Sequence, residues 1–274
     1  MKIIDCFPFF NEIDLLYYRM SILYKYVDYF VICESTLTFS GIEKPSFFME
    51  NVEKFAPFYD KIIHVIDTKL VPKRFLMPGS GAEWHNDQHQ RNYINAGIIQ
   101  VPNIEDSDIL MISDLDEIPD PALYKRIRRG EVIVDTIKKL RMDMYVYNLS
   151  TRQNNSWGEA KILPYSEYKT RFNSSPQNCR MCQDNVYVVD EVIGWHLTFF
   201  GDENQIRNKI ISYAHQEKNT TNFTDVSKIK NRIKNRIDVF DRPEHDQLLT
   251  HVPISDNKYL PKKYEKYLAK FAIE

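Results

Sequence analysis

The sequence lacks several features that would assign it to a specialised class of protein. Its 36 basic and 38 acidic residues leave a formal net charge of only -2 over 274 residues. Because nucleic-acid-binding proteins carry a basic surface, this balance argues against a nucleic-acid partner. No long apolar run is present, and residues 1–6 lead directly into strand-like sequence. We therefore expect neither a signal peptide nor a membrane span, and we predict a cytoplasmic protein.

Cysteine and glycine are also scarce, with four and eight residues respectively. Cys6 and Cys33 lie in apolar strand candidates, where a reduced and buried thiol is the usual state. Cys179 and Cys182 form a single C-x-x-C, which without a second pair does not indicate a structural zinc site and leaves a local disulfide or redox pair open. By contrast, 17 tyrosines and 16 phenylalanines offer stacking surfaces that suit a sugar or a nucleotide, although most such rings pack in cores.

The first 120 residues alternate between short apolar runs and amphipathic segments. This alternation is typical of an α/β fold with a parallel, doubly wound sheet. The predicted strands are 2–7, 29–33, 61–66 and 109–112, and the predicted helices begin at Ile13, with Asn11 as its N-cap, and at Glu83. The connection 69–82 has no periodicity and is long for a compact domain, which is typical of a functional or mobile loop.

The pattern changes after residue 120. A short helix is predicted at 121–129, and the apolar runs that follow are separated by polar turns, which favours an antiparallel or mixed region. The predicted strands there are 139–149, 186–189 and 193–197, and the predicted helices are 203–215 and 226–239.

The most informative stretch is Ser107–Pro119, where a buried strand ends in three acids within four positions. Ligands of open α/β sheets bind outside the carboxyl ends of the strands, where Asp114, Asp116 and Glu117 stand. Carboxylates this close repel one another unless a cation lies between them, so their spacing favours a divalent metal with oxygen ligands. An ordinary solvated turn is the alternative.

Other polar residues follow neighbouring strands. Asn11 and Glu12 follow the first strand and Glu34 follows the second, so each stands where a ligand could bind, although Asn11 and Glu12 also suit a helix amino terminus. On the helix 83–96, Arg91 belongs either to a solvated face or to a site for phosphate, which a guanidinium binds well.

Four separated blocks of the sequence are informative when taken together. They are residues 5–12 leading into 29–41, residues 90–92, residues 113–119, and residues 194–201 leading to 212–215. In this order and spacing they resemble glycosyltransferase family 17. The resemblance implies a GT-A fold, with a Rossmann-like, mostly parallel sheet and a mixed acceptor-side region. It implies one catalytic domain, 1–240, with a nucleotide-binding half (1–120) and an acceptor-side half (121–240), followed by a helical extension at 241–274.

The resemblance also implies roles for individual residues. Asp114 and Asp116 would form the D-x-D motif that holds Mn²⁺ or Mg²⁺ against a nucleotide diphosphate, with His215, or its rival His196, completing the metal ligands. The further residues implied at the nucleotide and its sugar are Asn11, Glu12, Glu34, Arg91, Asp114, Trp195 and His196.

Similarity to inverting transferases implies a carboxylate that removes a proton from the acceptor hydroxyl. Glu203 is the first candidate and Asp202 the second, although both residues also suit a helix amino terminus. The implied activity is transfer of a sugar, GlcNAc from UDP-GlcNAc, to a hydroxyl of a glycan or glycoprotein. The alternatives are a non-catalytic nucleotide-sugar-binding protein and a metal-dependent nucleotidyltransferase or phosphohydrolase. The role of Glu117 is left open.

Overall fold

The computed structural model describes residues 1–75, 81–184, 186–242 and 248–273. The strands are β1 (Ile3–Pro8), β2 (Tyr29–Ser35), β3 (Ile62–Asp67), β4 (Ile109–Ile112), β5 (Glu117–Pro119), β6 (Lys138–Lys139), β7 (Asp143–Val146), β8 (Thr151–Gln153), β9 (Lys161–Pro164), β10 (Gly194–Thr198) and β11 (Leu249–His251). The helices are α1 (Ile13–Leu23), α2 (Phe47–Glu50), α3 (Ala82–Ile98), α4 (Pro121–Arg128), α5 (Tyr165–Thr170), α6 (Pro176–Arg180), α7 (Glu203–Ser212), α8 (Thr221–Thr224), α9 (Val226–Asn235) and α10 (Tyr264–Tyr267).

The first sheet has the strand order β3-β2-β1-β4-β9-β6. Its four strands from the amino-terminal third are parallel, and Cys6 of β1 pairs with Val31 of β2 and with Ile112 of β4. The strands β9 and β6 then add in antiparallel orientation, so the sheet is mixed. The predicted α/β alternation and the four predicted parallel strands are therefore confirmed.

Helices cover both faces of the first sheet because its strands are apolar on both sides. The helix α1 packs on one face through Leu16 and Met20, which are fully buried. The helix α3 packs on the other face, where Ile94 and Ile98 meet the strands. Gly97 permits this approach, since a Cβ atom there would lie 2.4 Å from Cγ1 of Val31.

The second sheet has the order β11-β8-β7-β10-β5. The strands β7 and β10 are parallel, and the other described pairs are antiparallel. This mixed arrangement agrees with the change of pattern after residue 120. The chain passes from the first sheet to the second between β4 and β5, so residues 113–116 lie where the two sheets meet.

Some predicted elements differ from the structure. The predicted strand 186–189 is wrong, because Tyr187 forms only an isolated bridge to Lys139 and its ring packs under the cations of Lys139 and Arg141. The predicted strand 139–149 is divided between β6 and β7. The helix α7 ends at Ser212 and α9 ends at Asn235, where Arg236 adopts a left-handed conformation with φ of 53°.

The carboxy-terminal segment returns to the body of the molecule. The strand β11 joins the edge of the second sheet, and Leu268 and Phe271 belong to the same apolar core as α1. This segment thus contributes a strand as well as short helices, with residues 243–247 outside the described part. Residues 76–80 of the predicted loop 69–82 also lie outside it. Among the described helices, none is long and apolar enough to cross a membrane.

Candidate functional site

Residues 113–116 connect β4 to β5, and we call this connection the crossing. Arg19 supports the crossing from inside the protein. This arginine is fully buried and forms an ion pair of 2.6 Å with Asp5 of β1. Its guanidinium also donates hydrogen bonds to the backbone carbonyls of Asp114 (2.8 Å), Leu115 (3.0 Å) and Glu117 (2.9 Å). The buried pair therefore fixes the backbone from which the acidic side chains project.

Two arginines hold the side chain of Asp114. Arg91 of α3 donates to one carboxylate oxygen at 2.5 Å, and Arg180 of α6 donates to the other at 3.0 Å. Burial alone would raise the pKa of Asp114, but Arg180 and Arg91 outweigh that effect and lower the pKa to about 2. Asp114 is therefore ionised at neutral pH, and about a third of its side chain is exposed.

Glu117 is enclosed by this chain's own donors. Arg180 binds both of its carboxylate oxygens, at 2.6 and 2.7 Å, and the indole nitrogen of Trp157 donates at 2.5 Å. The backbone N–H of Asp114 donates to it at 2.9 Å. Because Glu117 is fully buried and saturated, it supports the crossing and the Arg180 guanidinium instead of presenting a free ligand.

Asp116 lies on the other side of the crossing. Its carboxylate accepts a hydrogen bond from the Lys209 ammonium of α7 at 3.0 Å, and Nε2 of His196 lies 3.5 Å away. Burial opposes ionisation, but Lys209 and then His196 hold the pKa of Asp116 well below its usual value. The same ammonium lies 3.3 Å from Glu12, so Lys209 bridges two carboxylates. The Nδ1 atom of His196 is buried without a partner among the described residues.

A cavity of about 160 Å³ adjoins this bridge. We call it the α1–α7 cavity, because it lies between the amino end of α1 and the helix α7. Its walls combine aromatic rings with polar groups. The lining residues used below are Asn11, Glu12, Phe199, Phe200, Lys209 and Phe271.

The predicted metal ligands are only partly brought together. His215 is exposed, hydrogen-bonds Glu217 at 2.8 Å and packs against the ring of Trp84. Within the described residues, no three His, Cys, Asp or Glu side chains form a group that could hold a metal. Asp114 and Asp116 do provide carboxylate oxygens on one short segment, where each carboxylate is paired with cationic side chains. This donor set fits a hard divalent ion of the Mg²⁺ type, which binds through one or two carboxylates plus substrate phosphates instead of a closed protein cage.

Glu34 stands at the end of β2, but its carboxylate is already fully used. It accepts hydrogen bonds from Oγ of Ser46 and the backbone N–H of Phe47, both at 2.6 Å, and from Lys44 at 3.0 Å. His64 and the N–H of Phe48 add contacts of 3.2 and 3.3 Å. The side chain has no exposed surface, so a ligand could reach it only by displacing these groups.

Two other predicted residues have structural roles. Trp195 was predicted to lie at the nucleotide or its sugar; in the structure it is completely buried, stacks on Tyr259 and donates from its indole nitrogen to the Tyr259 carbonyl at 3.0 Å. Asn11 is not the N-cap of α1, because Glu12 occupies that position and its side chain makes no cap hydrogen bond. The carboxylate of Glu12 accepts instead from the backbone N–H of Asn11 at 3.1 Å.

The two candidate bases at the start of α7 differ. Asp202 is the N-cap, accepts from the backbone N–H groups of Asn204 and Gln205, and forms a capping box with Gln205. Glu203 is half-buried, and its carboxylate has no hydrogen bond or ion pair to any described residue. The contacts that join α7 to Asp116 come from Lys209, two turns further along the helix.

Arg180 and Trp157 are contributors that sequence reasoning did not identify. Arg180 lies between Cys179 and Cys182, so the C-x-x-C spacing directed attention to the thiols instead. Both cysteines are free, and burial raises the pKa of Cys179. Lys209 stands in a basic run that the sequence connects with an anionic ligand, but only the fold pairs it with Asp116.

Comparison with known proteins shows a family match over most of the chain and a more limited similarity to individual relatives. Residues 1–250 match the family model described as Glycosyltransferase family 17. The β-1,4-mannosyl-glycoprotein 4-β-N-acetylglucosaminyltransferases of Rattus norvegicus and Homo sapiens are each 29% identical to it over 134 residues, and that of Mus musculus is 28% identical. Each alignment covers 47% of this chain and 24% of the relative, so the chain matches about a quarter of the relatives' length.

Proposed function

Because the chain belongs to glycosyltransferase family 17, we propose that it transfers a sugar from a nucleotide-sugar donor to a hydroxyl group of a glycan or glycoprotein. We propose UDP-GlcNAc as the donor, since the relatives are named as N-acetylglucosaminyltransferases. The observation that carries the proposal is the pair Asp114 and Asp116 at the carboxyl end of β4, surrounded by cationic side chains. A GT-A fold agrees with the parallel strands β1 to β4 and with the mixed sheet that follows.

The cations suit a diphosphate leaving group. Arg91, Arg180 and Lys209 are held in place by carboxylates, and guanidinium groups can bind phosphate through two parallel hydrogen bonds. Positioned positive charge of this kind stabilises the negative charge that develops on a departing diphosphate. A divalent ion, Mn²⁺ or Mg²⁺, held by Asp114 and Asp116 would add Lewis-acid stabilisation of the same charge.

The proposed reaction is a single displacement that inverts configuration at C1 of the donor sugar. The acceptor hydroxyl oxygen forms the new bond to C1 while the bond from C1 to the diphosphate oxygen breaks. The electron pair of that bond leaves with the diphosphate, and the hydroxyl proton passes to a carboxylate of the protein.

The proposal is tested by incubating the full chain with UDP-GlcNAc and Mn²⁺ or Mg²⁺, and by measuring the nucleotide products and the thermal stability of the protein. We expect release of UDP, loss of that release when a chelator removes the metal, and stabilisation by the donor, since a ligand of the folded state raises its stability. Release of pyrophosphate or phosphate would indicate a nucleotidyltransferase or phosphohydrolase instead. Stabilisation without any product would indicate a binding protein.

A further inference from the structure

The α1–α7 cavity is lined by Glu12 and by Lys209, the lysine that also binds Asp116. We infer that this cavity binds one sugar ring of the acceptor, and that Glu12 takes the proton from the attacking hydroxyl of that ring. The inference rests on the proposed glycosyl transfer and adds to it an acceptor subsite and a catalytic residue. It also moves Glu12 from the nucleotide contact that the family resemblance implied to the acceptor side.

The lining of the cavity matches a pyranose. Phe199, Phe200 and Phe271 supply aromatic surface, and Glu12 and Asn11 supply polar groups at the same opening. A pyranose has apolar C–H faces and a rim of hydroxyl groups, so it requires both kinds of surface. Its volume of about 160 Å³ is of the size of a single sugar ring.

The backbone at Phe199 supports a ligand-binding role. Phe199 follows β10 with φ of 56°, a left-handed conformation that bulky residues rarely adopt. Such strain is found preferentially at ligand-binding and catalytic positions, where the surrounding structure maintains it. Here the turn brings the Phe199 ring within 5.6 Å of the Lys209 ammonium, at the boundary between the cavity and Asp116.

Measured contacts place Glu12 close to the D-x-D motif. The Lys209 ammonium lies 3.3 Å from Oε1 of Glu12 and 3.0 Å from Oδ2 of Asp116, so those two oxygens can be no farther apart than the two distances combined. About a fifth of the Glu12 side chain is exposed, which leaves it accessible to a ligand in the cavity. A general base must lie within hydrogen-bond reach of the proton that it removes, and Glu12 lines the cavity in which the ring would lie.

The other candidate bases are placed less favourably. The carboxylate of Asp202 is used to cap α7, and Glu203 forms no hydrogen bond or ion pair with any residue that the structure describes. Lys209 gives Glu12 a further property. When a diphosphate enters, its charge competes for the Lys209 ammonium, which frees a Glu12 oxygen for the acceptor hydroxyl. Glu12 then becomes the neutral acid and returns the proton to solvent after the product leaves.

The first experiment compares Glu12→Gln with its matched control Glu203→Gln. We expect Glu12→Gln to lower the turnover rate for UDP release by roughly 100-fold or more, the usual contribution of a general base. Its dissociation constant for UDP-GlcNAc, measured by calorimetry, should stay within about threefold of wild type, since a base acts on the acceptor and not on donor binding. Glu203→Gln, at the rival candidate base, should lower the turnover rate far less than Glu12→Gln does. The reverse ranking of the two variants, or weakened donor binding alone in Glu12→Gln, would overturn the assignment of Glu12.

The second experiment tests the cavity with methyl pyranosides of mannose, glucose, galactose and N-acetylglucosamine. At least one should change the rate of UDP release saturably, either as an acceptor or by excluding water. Phe199→Ala should raise its half-effect concentration about tenfold, as loss of one buried ring contact predicts, and the exposed control Phe75→Ala should not. If no pyranoside acts, or if Phe199→Ala changes nothing, the cavity assignment is wrong while the proposed function stands. A wild-type protein that neither binds nor consumes UDP-GlcNAc would instead overturn the proposed function.

Discussion

Glu34 and Asp116 make an instructive pair, because both are buried carboxylates near the carboxyl ends of parallel strands of one sheet, β2 and β4. Glu34 is held by two backbone N–H groups, a serine hydroxyl, a histidine and a lysine. Among the residues that the structure describes, Asp116 is held by the terminal groups of a lysine and a histidine. The first set of partners includes two backbone groups, whereas the second consists of side chains alone.

The difference teaches which acid at a sheet edge is available to a ligand. Burial alone does not decide it, since both side chains are nearly inaccessible to solvent. Replacing backbone donors requires local unfolding, whereas the flexible four-carbon stem of Lys209 can move its ammonium to another anion. We therefore expect Glu34 to contribute chiefly to stability and Asp116 chiefly to the proposed activity.

The largest expected effect is on activity and comes from Asp116→Asn. Loss of this charge should reduce the rate of UDP release by roughly 100- to 1000-fold, the range found when a stabilising group is removed from a catalytic site. In denaturant unfolding, the free energy of unfolding of this variant should change much less than that of Glu34→Gln, the variant described next. Full activity in this variant would show that Asp116 has no role in the proposed activity.

Glu34→Gln should have the opposite profile. It leaves Lys44, which is 5% exposed, without its charged partner, so the free energy of unfolding should fall by about 3–5 kcal/mol. The fraction that remains folded should keep its turnover rate. The control is Asp14→Asn, whose ion pairs with Lys54 and Lys270 are about half exposed and should contribute at most about 1 kcal/mol. Equal destabilisation by both variants would contradict the structural role of Glu34.

Arg180→Lys should lower both the stability of the protein and its affinity for UDP-GlcNAc, each by an intermediate amount. A lysine cannot reproduce the two parallel hydrogen bonds to Glu117, so we expect a loss of about 1–3 kcal/mol of stability and roughly tenfold weaker binding of UDP-GlcNAc. Arg171→Lys is the control, because Arg171 pairs with Glu167 and Asp184 at a more exposed position nearby. If the two substitutions behave alike in calorimetry, Arg180 has no special place at the site.

The smallest expected effect is the pH dependence at Asp114. Its pKa in the folded protein is about 2, below the value of about 3.9 in an unfolded chain. A lowered pKa adds stability above pH 4, and this contribution is lost as the pH falls from about 4 to about 2. Asp114→Asn should therefore be less stable than wild type at pH 7, and the difference in denaturant unfolding should shrink over that interval. A difference that stays constant down to pH 2 would contradict the ion pairs described for Asp114.

Local patterns were enough to predict much of the fold. The four parallel strands and α1, α3 and α4 follow from apolar periodicity and turn residues, which act over a few positions. The strand at 186–189 was wrong because an apolar run records burial as well as strand formation. Tyr187 and Val188 have few backbone partners, yet their side chains still pack.

The site was predictable only where its residues belong to a motif. Asp114 and Asp116 stand out within one short stretch, whereas Arg180 reaches them from 66 positions away and Lys209 from 93. Such contacts depend on how the elements pack, which periodicity does not encode. Trp195 shows that a residue within a matching block can be buried in the core, so that membership of a block does not by itself indicate contact with a ligand.

The close contact at Gly97 fixes how far α3 lies from the sheet, and this distance affects residues elsewhere on the helix. Gly97 rests against β2, and Arg91 lies six residues earlier on the same helix, about 9 Å along its axis. A methyl side chain at position 97 would force the helix away from the sheet and displace the Arg91 guanidinium that holds Asp114. The absence of a side chain at Gly97 thus determines how far Arg91, on the same helix, can extend toward Asp114.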